Sequence, residues 1–261
     1  MPNSAGESRL APLMPAKQIG LLFPVSVVDT TPYEFYGMIP RGVMLVTVAL
    51  GLKEFSRANV EEVMAPLNEY LATFTERAVD LIVHAGVPIS ILLGPQRHDE
   101  LLRGVQSQTG IRTVSTLQCI LSAARALGIR NLAVVNKWSV EMNAVLTRYF
   151  EQHGIRSAAT RALSMAPGSF LKMKNADGLT IAYEMSREAL LSNPAADGLY
   201  IGGGSWLTAP LVRVLEAEFD RPVITNTTSF VWQARRLIGL REPVVGYGRV
   251  FDIPVLGEQA I

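Results

Sequence analysis

Two stretches decide the fold: Asp80-Leu-Ile-Val-His-Ala-Gly86 and Asp197-Gly-Leu-Tyr-Ile-Gly-Gly203. Each opens on an aspartate, runs through a short apolar segment, and reaches a glycine at the sixth position after the aspartate. A short apolar run ended by glycine reads as a buried strand leaving a sheet. An amphipathic stretch follows each, then a strand beginning at Arg112 or Arg221. A further helix follows, closing on Ala124-Arg-Ala-Leu-Gly128 or Ala234-Arg-Arg-Leu-Ile-Gly239. The chain therefore reads as two similar α/β halves.

Working outward, apolar runs rich in Val, Ile and Leu alternate with amphipathic ones, the pattern of βα units around a buried parallel sheet. Strands are expected at Ile19–Phe23, Val43–Val48, Leu81–Val83, Arg112–Val114, Leu132–Val135, Leu199–Ile201 and Val223–Thr225. Helices are expected near Val60–Ala78, Arg97–Thr109, Leu117–Leu127, Val140–Gln152, Leu179–Leu191, Ala209–Glu218 and Phe230–Leu237. Ser139 is placed to cap the helix from Val140, and Gly154 to end it. Three segments are expected: a loose leader over 1–17, a first half built from 18–120 plus 225–261, and a second half over 121–224.

Composition narrows the function. The chain has 261 residues, 49% of them hydrophobic, enough for a substantial core. A formal net charge of +1 leaves no footprint for nucleic acid or an anionic membrane. The apolar runs fall well short of the roughly 20 residues that span a bilayer. The single cysteine, Cys119, closes no intrachain disulfide, which points to the cytoplasm. His84, His98 and His153 are the only histidines and none pairs at ligand spacing, so no metal site is expected.

Ligands of parallel sheets sit beyond the carboxyl ends of the strands, and a gap between two such halves is a common site. The Gly202-Gly-Gly-Ser205 turn, with Gly203, Gly204 and Ser205, offers close backbone approach and helix-terminal amides. Across the gap, Gly86-Val87-Pro88 supplies shape and backbone rather than nucleophiles. Asn136-Lys137-Trp138 ends another strand, with Lys137 a point charge or a base. His84 shares a strand face with Gly86 by period two and is a second candidate acid or base, against the alternative of a core histidine. Pro24 and Val25 end the first strand and Ser115 the fourth, where Ser115 or Thr116 could equally cap the next helix. Cys119 lies inside a helix with no cation to make it a thiolate, and reads as a core residue.

These loops resemble the aspartate/glutamate racemase superfamily, in its maleate isomerase and arylmalonate decarboxylase branch. The matching segments are Ile19-Gly-Leu-Leu-Phe-Pro24, His84-Ala-Gly-Val-Pro-Ile-Ser90, Ser115-Thr116, Gly202-Gly-Gly-Ser-Trp-Leu-Thr208 and Gly246-Tyr-Gly-Arg-Val-Phe251. The resemblance implies two pseudo-symmetric halves with one site between them, no cofactor, and a small carboxylate as substrate. It also implies cysteine chemistry, and there this chain departs. The two cysteine positions align with Gly86 and Gly203. A Thr-Ser pair is replaced by Val87-Pro88, and a tyrosine by Trp138. The expected activity is a cofactor-independent lyase or isomerase that stabilises an enolate-type anion with backbone amides and moves protons with Lys137, His84 or a bound water. Two other readings stay open: a non-catalytic carboxylate binder or accessory protein of a catabolic pathway, and a hydrolase or hydratase for a less polar substrate. A homo-oligomer is expected from the general frequency of such assemblies.

Overall fold

The computed structural model describes residues 11–254, so most of the expected leader and the last seven residues of the first half lie outside the described residues. Two four-stranded sheets, every pairing parallel, form the frame. The first has the order β2-β1-β3-β4, with β1 Lys17–Phe23, β2 Val43–Ala49, β3 Leu81–His84 and β4 Thr113–Ser115. The second has the order β6-β5-β7-β8, with β5 Asn131–Asn136, β6 Arg156–Ala162, β7 Gly198–Ile201 and β8 Val223–Thr225.

The repeat read from the sequence is reproduced bond by bond. Asp80 accepts from the backbone N–H of Gln18, and Asp197 from that of Asn131, each at 2.8 Å. Each aspartate thus pins the start of one central strand to the next. At the other end, Ala85 N–H donates to Leu22 and Gly202 N–H to Val135. Leu50 and Leu52 donate to Phe23 and Pro24, while Leu163 and Met165 donate to Asn136 and Lys137. Lys137 is therefore the counterpart of Pro24, and Gly203 that of Gly86.

The helices, in chain order, are α1 Thr30–Met38, α2 Arg57–Met64, α3 Leu67–Glu76, α4 Val87–Leu93, α5 Pro95–Thr109 and α6 Thr116–Ala126. They continue with α7 Val140–Gln152, α8 Pro167–Phe170, α9 Asn175–Leu191, α10 Ala209–Phe219 and α11 Asn226–Leu237. Ser139 caps α7 as expected, accepting from Met142 N–H. The single helix expected over Val60–Ala78 is two, α2 and α3, because Pro66 cannot donate to the preceding turn and blocks it sterically. The sequence reading lacked β6, α1, α4 and α8. The β6 run Arg-Ser-Ala-Ala-Thr-Arg-Ala is a half-exposed edge strand without alternating large apolar residues.

Helices α6 and α11 join the halves. α6 follows β4 of the first sheet, yet Leu117, Ile120 and Leu121 pack into the second half's core. α11 follows β8 of the second sheet, yet Phe230, Val231 and Ala234 pack into the first half's core. The expected boundary at 120/121 thus falls inside α6. Each half thus lends a helix to the other's core, which ties the two sheets together.

Candidate active site

The carboxyl ends of β1, β3 and β4 face those of β5, β7 and β8 across a cleft. Pro24 and Val25 follow β1, Ala85 and Gly86 follow β3, and Thr116 opens α6. From the other side come Lys137 and Trp138 after β5, Gly203 and Gly204 after β7, and Asn226 and Thr227 at the start of α11. The roof is aromatic. Phe55, after β2, and Phe170, in α8 after β6, stack at 6.0 Å with planes 22° apart. Phe23, Phe230 and Thr31 complete the lining.

Two glycines make the approach possible. Gly86 has φ +104°, and a Cβ there would stand 3.0 Å from Pro24 Cβ. Gly203 has φ +125°, and a Cβ there would stand 3.1 Å from Lys137 Cε and 3.7 Å from its Nζ. Both backbones are left-handed, a conformation that favours glycine. Any side chain at position 203 would press on the Lys137 stem.

Lys137 is the one titratable side chain lining the cleft among the described residues. It is 1% exposed and forms no ion pair among the described residues. Its Nζ donates to the carbonyls of Gly204 at 3.1 Å and Ser205 at 3.2 Å. It lies 4.2 Å from the Phe170 ring centre and 5.1 Å from that of Trp206. Burial lowers its pKa to about 7, against a smaller opposing pull from Asp29. The amine therefore changes charge near neutrality.

The polar floor is built from helix starts. Ser115 and Thr225 cap α6 and α11 with matching capping boxes. The first residues of both helices, Thr116 and Asn226, face the cleft, where helix-terminal amides favour an anion. Thr116 Oγ1 is buried without a hydrogen-bond partner among the described residues. Asn226 Oδ1 is used, accepting from Tyr200 Oη at 2.7 Å and Gly203 N–H at 3.3 Å. Thr227 Oγ1 donates to the buried Glu34 at 2.5 Å. Glu34 also accepts from the N–H groups of Thr208 and Ala209 at 2.7 Å each. Burial raises its pKa against these bonds.

Of the thirteen residues expected at the site, Pro24, Val25, Gly86, Pro88, Lys137, Trp138, Gly203 and Gly204 line the cleft. Five do not. His84 is buried, both ring nitrogens lack partners among the described residues, and its ring packs 5.9 Å from that of His98. The strand ends at His84 and the chain turns before Gly86, so the shared-face argument fails there. Burial, with His98 beside it, lowers the His84 pKa to about 3, leaving a neutral core imidazole. Val87 is a core residue against α6 and α7. Ser115 spends its hydroxyl as a cap. Asn136 is tied to Asn143 at 2.6 Å and accepts from Trp138 N–H at 2.9 Å, bracing the Lys137 loop. Ser205 turns its hydroxyl toward Val27 O at 3.5 Å.

Thr31, Phe55, Phe170, Asn226, Thr227 and Phe230 were not anticipated. Asn226 was within reach, since it follows β8 as Thr116 follows β4 and the internal repeat pairs them. The aromatic roof gave no local signal, because it joins loops from both halves. Cys119 is fully buried in the first half's core, and burial pushes its thiol pKa well up. Among the described residues no group of His, Cys, Asp or Glu is arranged to hold a metal, and no helix is long and apolar enough to cross a membrane.

Comparison with known proteins agrees with this architecture. Arylmalonate decarboxylase from Bordetella bronchiseptica is 22% identical over 237 residues, covering 90% of this chain and 96% of the relative. A doubly substituted arylmalonate decarboxylase solved in a liganded form superposes with a TM-score of 0.81 at 20% identity, over 91% of this chain and 99% of that one. A maleate isomerase variant from Pseudomonas putida solved with maleate gives 0.79 at 15% identity, over 91% and 98%. A maleate cis-trans isomerase variant from Nocardia farcinica, solved with a covalently bound succinylcysteine intermediate, gives 0.77 at 22% identity, over 90% and 98%. The arylmalonate decarboxylase family model matches residues 19–251. With the matched region spanning both sheets and the cleft between them, the chain belongs to the arylmalonate decarboxylase family.

Proposed function

We propose that this protein is a cofactor-independent decarboxylase or isomerase of a small organic acid, with Lys137 as its proton carrier. One observation carries the reading: Lys137 is the sole titratable side chain lining the cleft among the described residues. Chemistry that creates and quenches a carbanion needs a group able to move a proton near neutral pH. Lys137, held near pKa 7 by burial, is such a group. The starts of α6 and α11 and the Thr116 hydroxyl supply donors for a carboxylate and for the developing enolate. The rings of Phe23, Phe55, Phe170 and Phe230 give a departing carboxylate a poorly solvated surround, which favours loss of its charge as carbon dioxide.

Membership in a family whose curated relative is a decarboxylase supports the reaction class. The covalent intermediate on a cysteine in the Nocardia relative shows what that protein does with a thiol. Here the counterpart positions from the sequence resemblance are Gly86 and Gly203, and Lys137 lies against the second.

The test is a panel of malonate-type and maleate-type acids followed for carbon dioxide release, isomerisation and deuterium uptake from heavy water. Turnover by the native protein, lowered about 10²–10⁴-fold in Lys137→Met, is expected of a lost acid–base group. Ligand binding without turnover across the panel would overturn the reading.

A further inference from the structure

The geometry points to Lys137 as a nucleophile that forms an imine with a 3-oxo acid, making the cleft an amine-catalysed decarboxylation site. This rests on the cleft being a decarboxylation site with Lys137 as its reagent, and it names the substrate class. The hydrogen bonds of Nζ carry the argument. A neutral amine has two N–H donors and one lone pair. Two carbonyls, Gly204 O and Ser205 O, accept from Nζ, so both donors are used. Nζ lies 4.2 Å from the Phe170 ring centre, and both groups line the cleft. Phe170 belongs to the aromatic roof, so a keto carbon bound beneath that roof lies next to the amine nitrogen. Among the described residues no carboxylate forms a salt bridge with Nζ. Gly203 adds no side chain of its own against the lysine stem, where a Cβ would stand 3.1 Å from Cε.

The rest of the lining selects the same substrate. Among the described residues the cleft is lined by a single cationic group, with no second one for a dianion. A 3-oxo acid brings one carboxylate, suited to Thr116 Oγ1 and the α6 terminus, and one neutral carbonyl, suited to the amine. Its remaining substituent meets phenylalanine rings, so an apolar or aromatic group is favoured.

The steps balance. The amine adds to the keto carbon, forming the C–N bond, and its proton passes to the oxygen. With one proton from solvent that oxygen leaves as water, giving the iminium. The bond to the carboxylate carbon breaks, its electron pair moves to nitrogen as an enamine, and carbon dioxide departs. The enamine carbon takes a proton. Water then adds to the iminium and expels Lys137, releasing the ketone. No oxidant, reductant or metal enters.

The test uses the full chain with 3-oxo-3-phenylpropanoate as probe, with and without sodium cyanoborohydride. The expected result is carbon dioxide release, an intact-mass increase on reduction, and peptide mapping of the adduct to Lys137. Lys137→Met and Lys137→Arg should lose the adduct and about 10²–10⁴ in rate. The native rate should rise with pH through about 7, as neutral amine appears. Decarboxylation of the probe without an adduct at Lys137, an equal adduct in the Met variant, or no reaction with the probe overturns the imine. If malonate-type acids still react while the probe does not, the imine fails and the broader reading stands. If neither reacts, both fail.

Discussion

Replacing Lys137 by methionine isolates the energetic cost of the cleft's one charge. Lys137→Met keeps an unbranched stem among Phe170, Trp206 and Gly203 and removes the amine. The native amine titrates at about 7 when folded, against an ordinary value of 10.5. A lowered folded pKa means that, between those two values, the unfolded chain holds a proton that the folded chain has released. Native stability therefore climbs with pH in that window, by about 1.4 kcal/mol per pH unit. From pH 6 to pH 9.5 the gain is about 3 kcal/mol, whereas the variant gains nothing from this position. At pH 6 the variant escapes a burial cost of about 5 kcal/mol. It leaves two carbonyls without their donor, at about 1–3 kcal/mol each. The variant is thus expected to equal or exceed the native protein in stability at pH 6, and to fall behind it by about 3 kcal/mol more at pH 9.5. Urea unfolding of both proteins at the two pH values measures the difference directly, and other lysines cancel in the subtraction. A stability gap that stays the same within about 1 kcal/mol at both pH values would refute the reasoning, because it would mean the amine is hydrated or paired rather than buried alone.

Three further outcomes follow from buried groups. His84 and His98 have pKa values lowered to about 3 and about 4, chiefly by burial, so stability present above pH 6.5 should drain away as pH falls below it. His84→Leu should make acid unfolding shallower by about 2 kcal/mol at pH 5, read from urea midpoints across pH 5–7.5. Glu34→Ala should cost about 3–5 kcal/mol, since it strips the acceptor from Thr227, Thr208 and Ala209 at once, while Glu34→Gln should recover part of that; equal melting temperatures for the two variants would contradict the assignment. Cys119→Ala should leave turnover within about twofold of native and cost about 1 kcal/mol of stability. A thiol reagent should likewise leave the folded protein active, and prompt inactivation would show that Cys119 is not sealed in the core.

The frame of this protein was legible because it rests on local order. Asp80 and Asp197, each six residues ahead of a glycine, mark the same strand start and the same strand exit, and each element between them carries its own apolar period. Gly86, Gly203 and Lys137 could be placed at the cleft from strand ends alone, because chains leave parallel sheets at that edge. Edge strand β6 escaped notice for want of apolar alternation, and α4 because Val-Pro-Ile-Ser-Ile-Leu-Leu reads equally as a strand. What the tertiary structure alone decided is which side chains share the space. His84 and Gly86 looked like neighbours by parity until the chain turned between them. Phe55 and Phe170 are far apart in sequence and meet only because the two halves face each other. The pKa of Lys137 near neutrality comes from burial outweighing the pull of Asp29. Desolvation is a property of everything packed around an atom, and no window of neighbouring residues contains it.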